Sequence, residues 1–222
     1  MAASQGRGRV ASQGRGSAAS QGRGPAASPA HGSAAHDGRL APAPFVARFL
    51  PQPQALAARL EAGENPPTAL DLACGAGRHT RLLAQRGYRV VALDGDVSGV
   101  ADLADDDAVE IVAADLENGR PFPLAGRCFG LVVVTNYLHR PVLDDIVAAV
   151  ADGGRLLYET FSIDQPAFGR PTNPDFLLAH GELLEVVGDR LRVIAYEDVV
   201  DEPAAPHPPA ARQRLCADRV GS

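Results

Sequence analysis

The stretch Ala69-Leu70-Asp71-Leu72-Ala73-Cys74-Gly75-Ala76-Gly77-Arg78-His79-Thr80 constrains this chain more than any other part of it. An apolar run gives way to Gly-x-Gly, and Thr80 to Arg86 resumes with helical spacing, so the order is strand, tight turn, helix. Glycine lets backbone come close to a ligand, and a helix start offers N–H groups that the helix itself leaves unpaired. The reading is a cofactor-binding turn. A dinucleotide fingerprint wants a third small residue three positions after the second glycine, where helix and strand pack closely. Thr80, followed by Arg81 and Leu82, meets that only in part, and Asp71 puts an acid inside a strand that a dinucleotide fold would keep apolar.

The rest of the chain supplies further strands in the same alternation. Tyr88 to Asp94 reads as a second strand after Gly87, and Asp94 ends it where an acid can accept hydrogen bonds from both hydroxyls of a ribose. Val97 to Asp107 supports only a brief helix. Val109 to Leu116 alternates into a third strand. Phe129 to Asn136 is almost uninterrupted β-branched sequence, which predicts a central strand buried on both faces of a parallel sheet. A helix is expected over Leu143 to Ala151, broken at Gly153-Gly154, with Arg155 to Phe161 as the fifth strand. Residues 168–178, dense in Pro, Gly and Asn, form a loop placed as a lid, leading to a helix over Glu182 to Val187. Leu191 to Val200 and Arg212 to Asp218 pair as closing strands across a Pro-rich turn, Pro203 to Pro209. Before the glycine turn, Ala43 to Ala62 predicts a leading helix interrupted by Pro51 and Pro53.

The hexapeptide Ala-Ser-Gln-Gly-Arg-Gly recurs at residues 3–8, 11–16 and 19–24. Such sequence has little apolar surface to offset the entropy of ordering its backbone, so residues 1–40 read as a disordered tail and 41–222 as the folded domain. The tail has no aromatic residue for stacking on bases, and RNA contact through it is not expected. It holds five of the 21 basic residues and one of the 27 acids, leaving 16 against 26 in the domain, an acidic balance that argues against a DNA substrate held by its phosphates. All basic residues are arginine. That excludes chemistry built on a P-loop lysine or a Schiff-base lysine. Cys74, Cys128 and Cys216 are too scattered for a disulfide framework or a paired zinc site, and with no apolar run long enough to span a bilayer the expected setting is the cytoplasm.

Asp71 followed by Ala-Cys-Gly-Ala-Gly closely resembles the first motif of the class I S-adenosylmethionine-dependent methyltransferases. From about Pro42 to Asp218 the chain is similar to a small bacterial branch of that family, near its tellurite-resistance and ubiquinone types. The resemblance implies an α/β, Rossmann-like fold: a seven-stranded, mostly parallel sheet with helices on both faces and an antiparallel last strand. It implies S-adenosylmethionine as cofactor, with Asp71, Ala73, Cys74, Gly75 and Gly77 around the methionine part. Asp94 and Gly95 would take the ribose, Asp115 and Leu116 the adenine, and Asn136 would border the cofactor at the tip of the central strand. Arg48, in the leading segment, is either a contact for the cofactor carboxylate or a solvated surface residue.

Methyl transfer from a sulfonium is an in-line displacement, so the protein mainly holds two reactants in line and excludes water. No fixed triad is required. If the acceptor must lose a proton, His139, just past the central strand and beside Tyr137, is the first candidate base. Tyr158 and Glu159 are expected to face the acceptor, with Arg140 or Arg170 as alternative partners for Glu159. His79 is expected to support the glycine turn or touch cofactor. No metal is expected, because the tips of the fourth and fifth strands offer a lone Glu159 rather than a carboxylate cluster. The acceptor is expected to be a small molecule. An NAD-dependent oxidoreductase and a non-enzymatic cofactor-binding or RNA-associated regulator remain open as alternatives at this stage.

Overall fold

The computed structural model describes residues 41–51, 67–202 and 208–221. The repeat tail, the expected helix beyond Pro51 and most of the Pro203 to Pro209 turn lie outside these residues. Seven strands form one sheet in the order β3-β2-β1-β4-β5-β7-β6. They are β1 (Thr68–Leu72), β2 (Arg89–Asp94), β3 (Val109–Ala113), β4 (Phe129–Thr135), β5 (Val150–Phe161), β6 (Arg192–Asp201) and β7 (Ala210–Asp218). Strands β1 to β5 pair in parallel, and β7 runs antiparallel to both β5 and β6. The expected closing pair is thus present. Chain order reverses between β1 and β4, so a crevice opens outside the carboxyl ends of those two strands, the place where open α/β sheets bind ligands.

Among the described residues four short helices cover the sheet: α1 (Pro44–Phe49), α2 (Arg78–Gln85), α3 (Leu143–Ala148) and α4 (Glu182–Val187). Alternation along the central strands sends side chains to two cores. Leu70, Leu72, Val132 and Val134 pack with Ile146 and Val147 of α3 and Leu183 of α4. Ala69, Leu131 and Val133 pack on the other side with Phe45 and Val46 of α1 and Leu83 of α2. Each fully buried Leu or Val contributes roughly 1.5–3 kcal/mol by leaving water, and β4, buried except at Gly130, is the axis of both layers. Asp71 and Thr135 share the α1/α2 face by the same alternation.

Two elements differ from the sequence reading. The fifth strand starts at Val150, ahead of Gly153-Gly154, because its register against β4 shifts between Phe129 and Leu131 and the glycines fall in the resulting bulge. A Cβ on Gly154 would meet the Phe129 carbonyl oxygen at 2.9 Å, so this bulge packs directly on β4. The third strand ends at Ala113, leaving Asp115 in the turn beyond it.

Candidate functional site

The β1–α2 turn carries three residues with positive φ, Ala73 at 56°, Gly75 at 53° and Gly77 at 74°. For Ala73 this conformation is uncommon, and strained backbone of this kind concentrates at functional sites. Asp94, at the carboxyl end of β2, accepts the Gly75 N–H at 2.8 Å through Oδ2 and the Asp96 N–H at 2.9 Å through Oδ1. Its carboxylate is therefore fixed beside the turn, and each oxygen keeps a further lone pair for a ligand hydroxyl. Gly99, in the 3-10 turn Val97–Leu103, has no room for a Cβ, which would lie 2.7 Å from the Gly75 carbonyl oxygen. Gly75 itself is bounded by open space where a Cβ would project. That open cradle is where a ligand can reach the backbone.

Asp71 lies one strand over, on β1, and it does not face the crevice. It is 1% exposed and accepts the Thr80 hydroxyl at 2.6 Å, which ties β1 to the first turn of α2 under the glycine loop. Burial pushes its carboxyl up to about 6 against the lowering effect of that hydrogen bond. Asp115, exposed two residues beyond β3, accepts the Glu117 N–H at 2.8 Å and leaves its second oxygen available, while Leu116 is buried behind it. The sheet thus brings Asp71, Asp94 and Asp115 to adjacent strands at one edge, but only Asp94 and Asp115 open to it. Gly95 lies where a Cβ would sit 3.9 Å from the Asp115 Cα, closing the gap between the tips of β2 and β3. Cys74 is buried, and burial pushes its thiol far up, so it stays protonated and takes no nucleophilic part.

At the tip of β4, Asn136 holds a left-handed backbone with φ 54° and its side-chain oxygen accepts from Arg212 at 2.7 Å. Tyr137 follows, its hydroxyl buried without a hydrogen-bond partner among the described residues. Burial chiefly, and then the charges of Glu117, Asp115 and Asp94, push that hydroxyl's pKa up, so it stays a neutral donor. Tyr158 is fully buried on the opposite face of the sheet from Glu159, and its hydroxyl donates to the Tyr137 carbonyl at 3.0 Å, which fixes the β4 tip instead of facing an acceptor. His139 is half-buried in the same loop, and its imidazole caps no turn.

Glu159 is placed differently from either partner weighed for it. It is buried and accepts from Arg214 Nε at 3.0 Å, with Arg212 at 3.6 Å. Arg140 instead binds Glu182, at 2.7 Å, and two backbone carbonyls of the loop before α4. Asp201 completes the cluster by accepting from Arg214 at 2.7 Å. These arginines of β7 were missed by sequence reasoning because a closing strand rich in Arg reads as a solvated edge. The available signal was cross-strand register: Glu159, Arg214 and Glu197 form one row across β5, β7 and β6. Arg48 also lies away from the crevice, paired with Glu197 at 3.2 Å and stacked 4.8 Å from the Phe49 ring centroid.

His79 is buried behind the turn. Its Nε2 accepts the Ala43 N–H at 3.1 Å, which places the remaining ring proton on Nδ1, 3.4 Å from the Thr135 hydroxyl. Burial, then Arg78, pushes its pKa down to about 3. A neutral ring held on both sides positions α1 against α2 and the β4 tip. A recess of about 560 Å³ lined by Cys128, Val150, Asp152, Arg190 and Arg219 lies at the other end of β4 and β5, away from all these groups. Among the described residues no His, Cys, Asp and Glu cluster suits a metal ion, and no helix is long and apolar enough to cross a membrane.

Residues 69–159 match a family model described as a methyltransferase domain. No curated protein matches the chain by sequence. Among solved structures, TehB from Haemophilus influenzae superposes with a TM-score of 0.54 at 18% identity, over 77% of this chain and 63% of that one. The 1,6-didemethyltoxoflavin-N1-methyltransferase of Burkholderia thailandensis, solved with S-adenosylhomocysteine, gives 0.52 at 20% identity over 76% of each chain. The N-methyltransferase NodS of Bradyrhizobium japonicum, also with S-adenosylhomocysteine, gives 0.52 at 15% identity over 79% of this chain and 88% of that one. The chain spans about two thirds of the length of TehB, and slightly less than that. The chain shares its fold with these methyltransferases, and residues 69–159, which hold the acid-Gly-x-Gly turn, match the methyltransferase-domain model.

Proposed function

We propose that this protein transfers a methyl group from S-adenosylmethionine to a small-molecule acceptor. The observation that carries the reading is the Asp94 carboxylate fixed by the Gly75 and Asp96 amides at the tip of β2, with free acceptor capacity beside an open glycine turn. The residues present fit the cofactor. Asp94 and Gly95 would hold the ribose, Asp115 and Leu116 the adenine, and the turn Ala73 to Gly77 the methionine part. Tyr137, whose buried hydroxyl lacks a partner among the described residues, would donate to it.

Bound, the cofactor supplies a methyl carbon already activated by a sulfonium. The chain's own work is to align an acceptor lone pair behind that carbon as the C–S bond breaks, and to keep water out. Asp71 and Thr80 stiffen the turn from below, while Tyr158 and Arg212 fix the β4 tip on which Asn136 and Tyr137 stand. His139, in the loop after β4, would take a proton from an acceptor that carries one. Glu159 serves the arginine cluster instead. Location in the cytoplasm fits this reading.

Calorimetric titration with S-adenosylhomocysteine tests the assignment, with NADH titrated in parallel. Saturable binding of the first and none of the second is expected; the reverse pattern would point to a hydride-transfer enzyme.

A further inference from the structure

Two arginines reach the tip of β4 with most of their hydrogen-bond donors unused. Arg78 follows Gly77 directly and reaches across to β4, where its single hydrogen bond among the described residues is to the Thr135 hydroxyl, at 3.5 Å. Among the described residues no carboxylate lies within ion-pair distance of it. The nearest acids are engaged elsewhere, Asp71 with Thr80 and Glu159 with Arg214. Arg212 comes to the same place from β7. It stacks on Phe161, 4.2 Å from the ring centroid, and gives its short hydrogen bond to the neutral Asn136 oxygen, while Glu159 and Asp201 stand at 3.6 and 3.5 Å. Those two acids hydrogen-bond Arg214 first. Thr135 and Asn136 are consecutive, so the two guanidinium groups converge on one strand tip with most of their N–H donors unspent.

Leaving charge in a partly buried site without a matched counter-charge is costly. Burial holds both Arg78 and Arg212 below the usual arginine range, and the charge of Arg78 lowers Arg212 further. A ligand anion seated between them would give Arg78 the counter-charge it lacks among the described residues and would meet donors that Arg212 leaves unused.

The geometry points to Arg78 and Arg212 as an anion subsite at the β4 tip that receives a carboxylate or oxyanion group of the methyl acceptor. This rests on the methyltransferase reading. The acceptor, not the cofactor, is the source because of where Arg212 originates. Strand β7 is four places from β2 in the sheet, roughly 19 Å at the usual strand spacing, on the far side of β4 from the Asp94 ribose site. Phe161 and Asn136 hold its guanidinium on the β4–β5 side of the crevice.

The test uses the full chain saturated with S-adenosylhomocysteine and titrated with sodium sulfate at constant ionic strength. Saturable sulfate binding is expected, weakened about tenfold or more by Arg78→Gln and by Arg212→Gln, as loss of a charge-assisted hydrogen bond implies. Affinity for S-adenosylhomocysteine should change less than about threefold in Arg78→Gln. The proposal is overturned if the wild-type complex binds no sulfate. It is also overturned if both variants lose S-adenosylhomocysteine affinity but keep that for 5′-methylthioadenosine, which lacks the amino-acid carboxylate; the arginines would then serve the cofactor. Wild-type protein that binds neither nucleoside would instead sink the methyltransferase reading itself. Arg78→Gln keeps the question open to refutation if Arg212→Gln disturbs the Glu159 cluster.

Discussion

The Asp94 carboxylate stands 2.8 Å from the Gly75 backbone nitrogen, so the acid at the end of β2 and the bend after β1 form one rigid unit. Asp94→Ala removes the clamp on the turn and the ribose acceptor together. Calorimetry should show S-adenosylhomocysteine binding weakened about tenfold to a hundredfold, the range for hydrogen bonds to a charged group. Asp94→Asn keeps one acceptor oxygen and should fall between the two. Unchanged affinity in Asp94→Ala would remove this residue from the cofactor site.

Asp71 is a carboxylate kept where burial opposes its charge. Its folded pKa of about 6 lies above the ordinary 3.8, so the folded state holds the proton more tightly between those values. The associated stability is present below the unfolded pKa and lost as pH rises through about 6. Asp71→Asn, which can still accept from Thr80, should therefore match wild type near pH 4 and be more stable at pH 8, by up to about 3 kcal/mol. Denaturant melts at the two pH values check this. Equal stabilities throughout would show that the carboxylate carries no burial cost.

Glu159 accepts from Arg214 and stands at ion-pair distance from Arg212, so its removal strands buried positive charge. Glu159→Ala should lose on the order of 3–5 kcal/mol of unfolding free energy. Glu159→Gln, which keeps an acceptor for Arg214, should lose less. A Glu159→Ala protein of wild-type stability that has lost turnover would contradict the structural role and return this residue to the acceptor.

His139 belongs to the β4–α3 loop with its imidazole free of any cap. Once an acceptor is known, His139→Ala should lower the turnover rate about 100-fold, in the range for a general base, with S-adenosylhomocysteine affinity unchanged. Unchanged turnover in the variant would remove His139 from proton transfer.

The order of strands was legible in the sequence because each ends on a recognisable mark: Gly-x-Gly after β1, Asp94 after β2, an unbroken β-branched run for β4. Asp94 and Asp115 fall where the pattern put them along the sheet edge. The inward direction of Asp71 was not legible as a site feature, although strand alternation from Leu70 and Leu72 places it on the α2 side, where Thr80 waits. The bulge at Gly153-Gly154 was hidden because paired glycines signal a helix stop and a bulge alike. Arg212 and Arg214 were unreadable for a different reason. Their partners lie 51 to 76 residues away in sequence, or across a turn, and only the register of β7 against β5 brings Glu159, Phe161 and Asn136 to them. Sequence reasoning reaches local turns and alternation readily; it does not reach charge pairing across a sheet.

The structure of the full chain crystallised with S-adenosylhomocysteine measures the central claim most directly. The account predicts both ribose hydroxyls within hydrogen-bond distance of Asp94, the adenine beside Asp115 and Leu116, and the sulfur over the β1–β4 crevice. A ligand bound elsewhere, or one that leaves the Asp94 oxygens with no partners beyond the Gly75 and Asp96 amides, would contradict it.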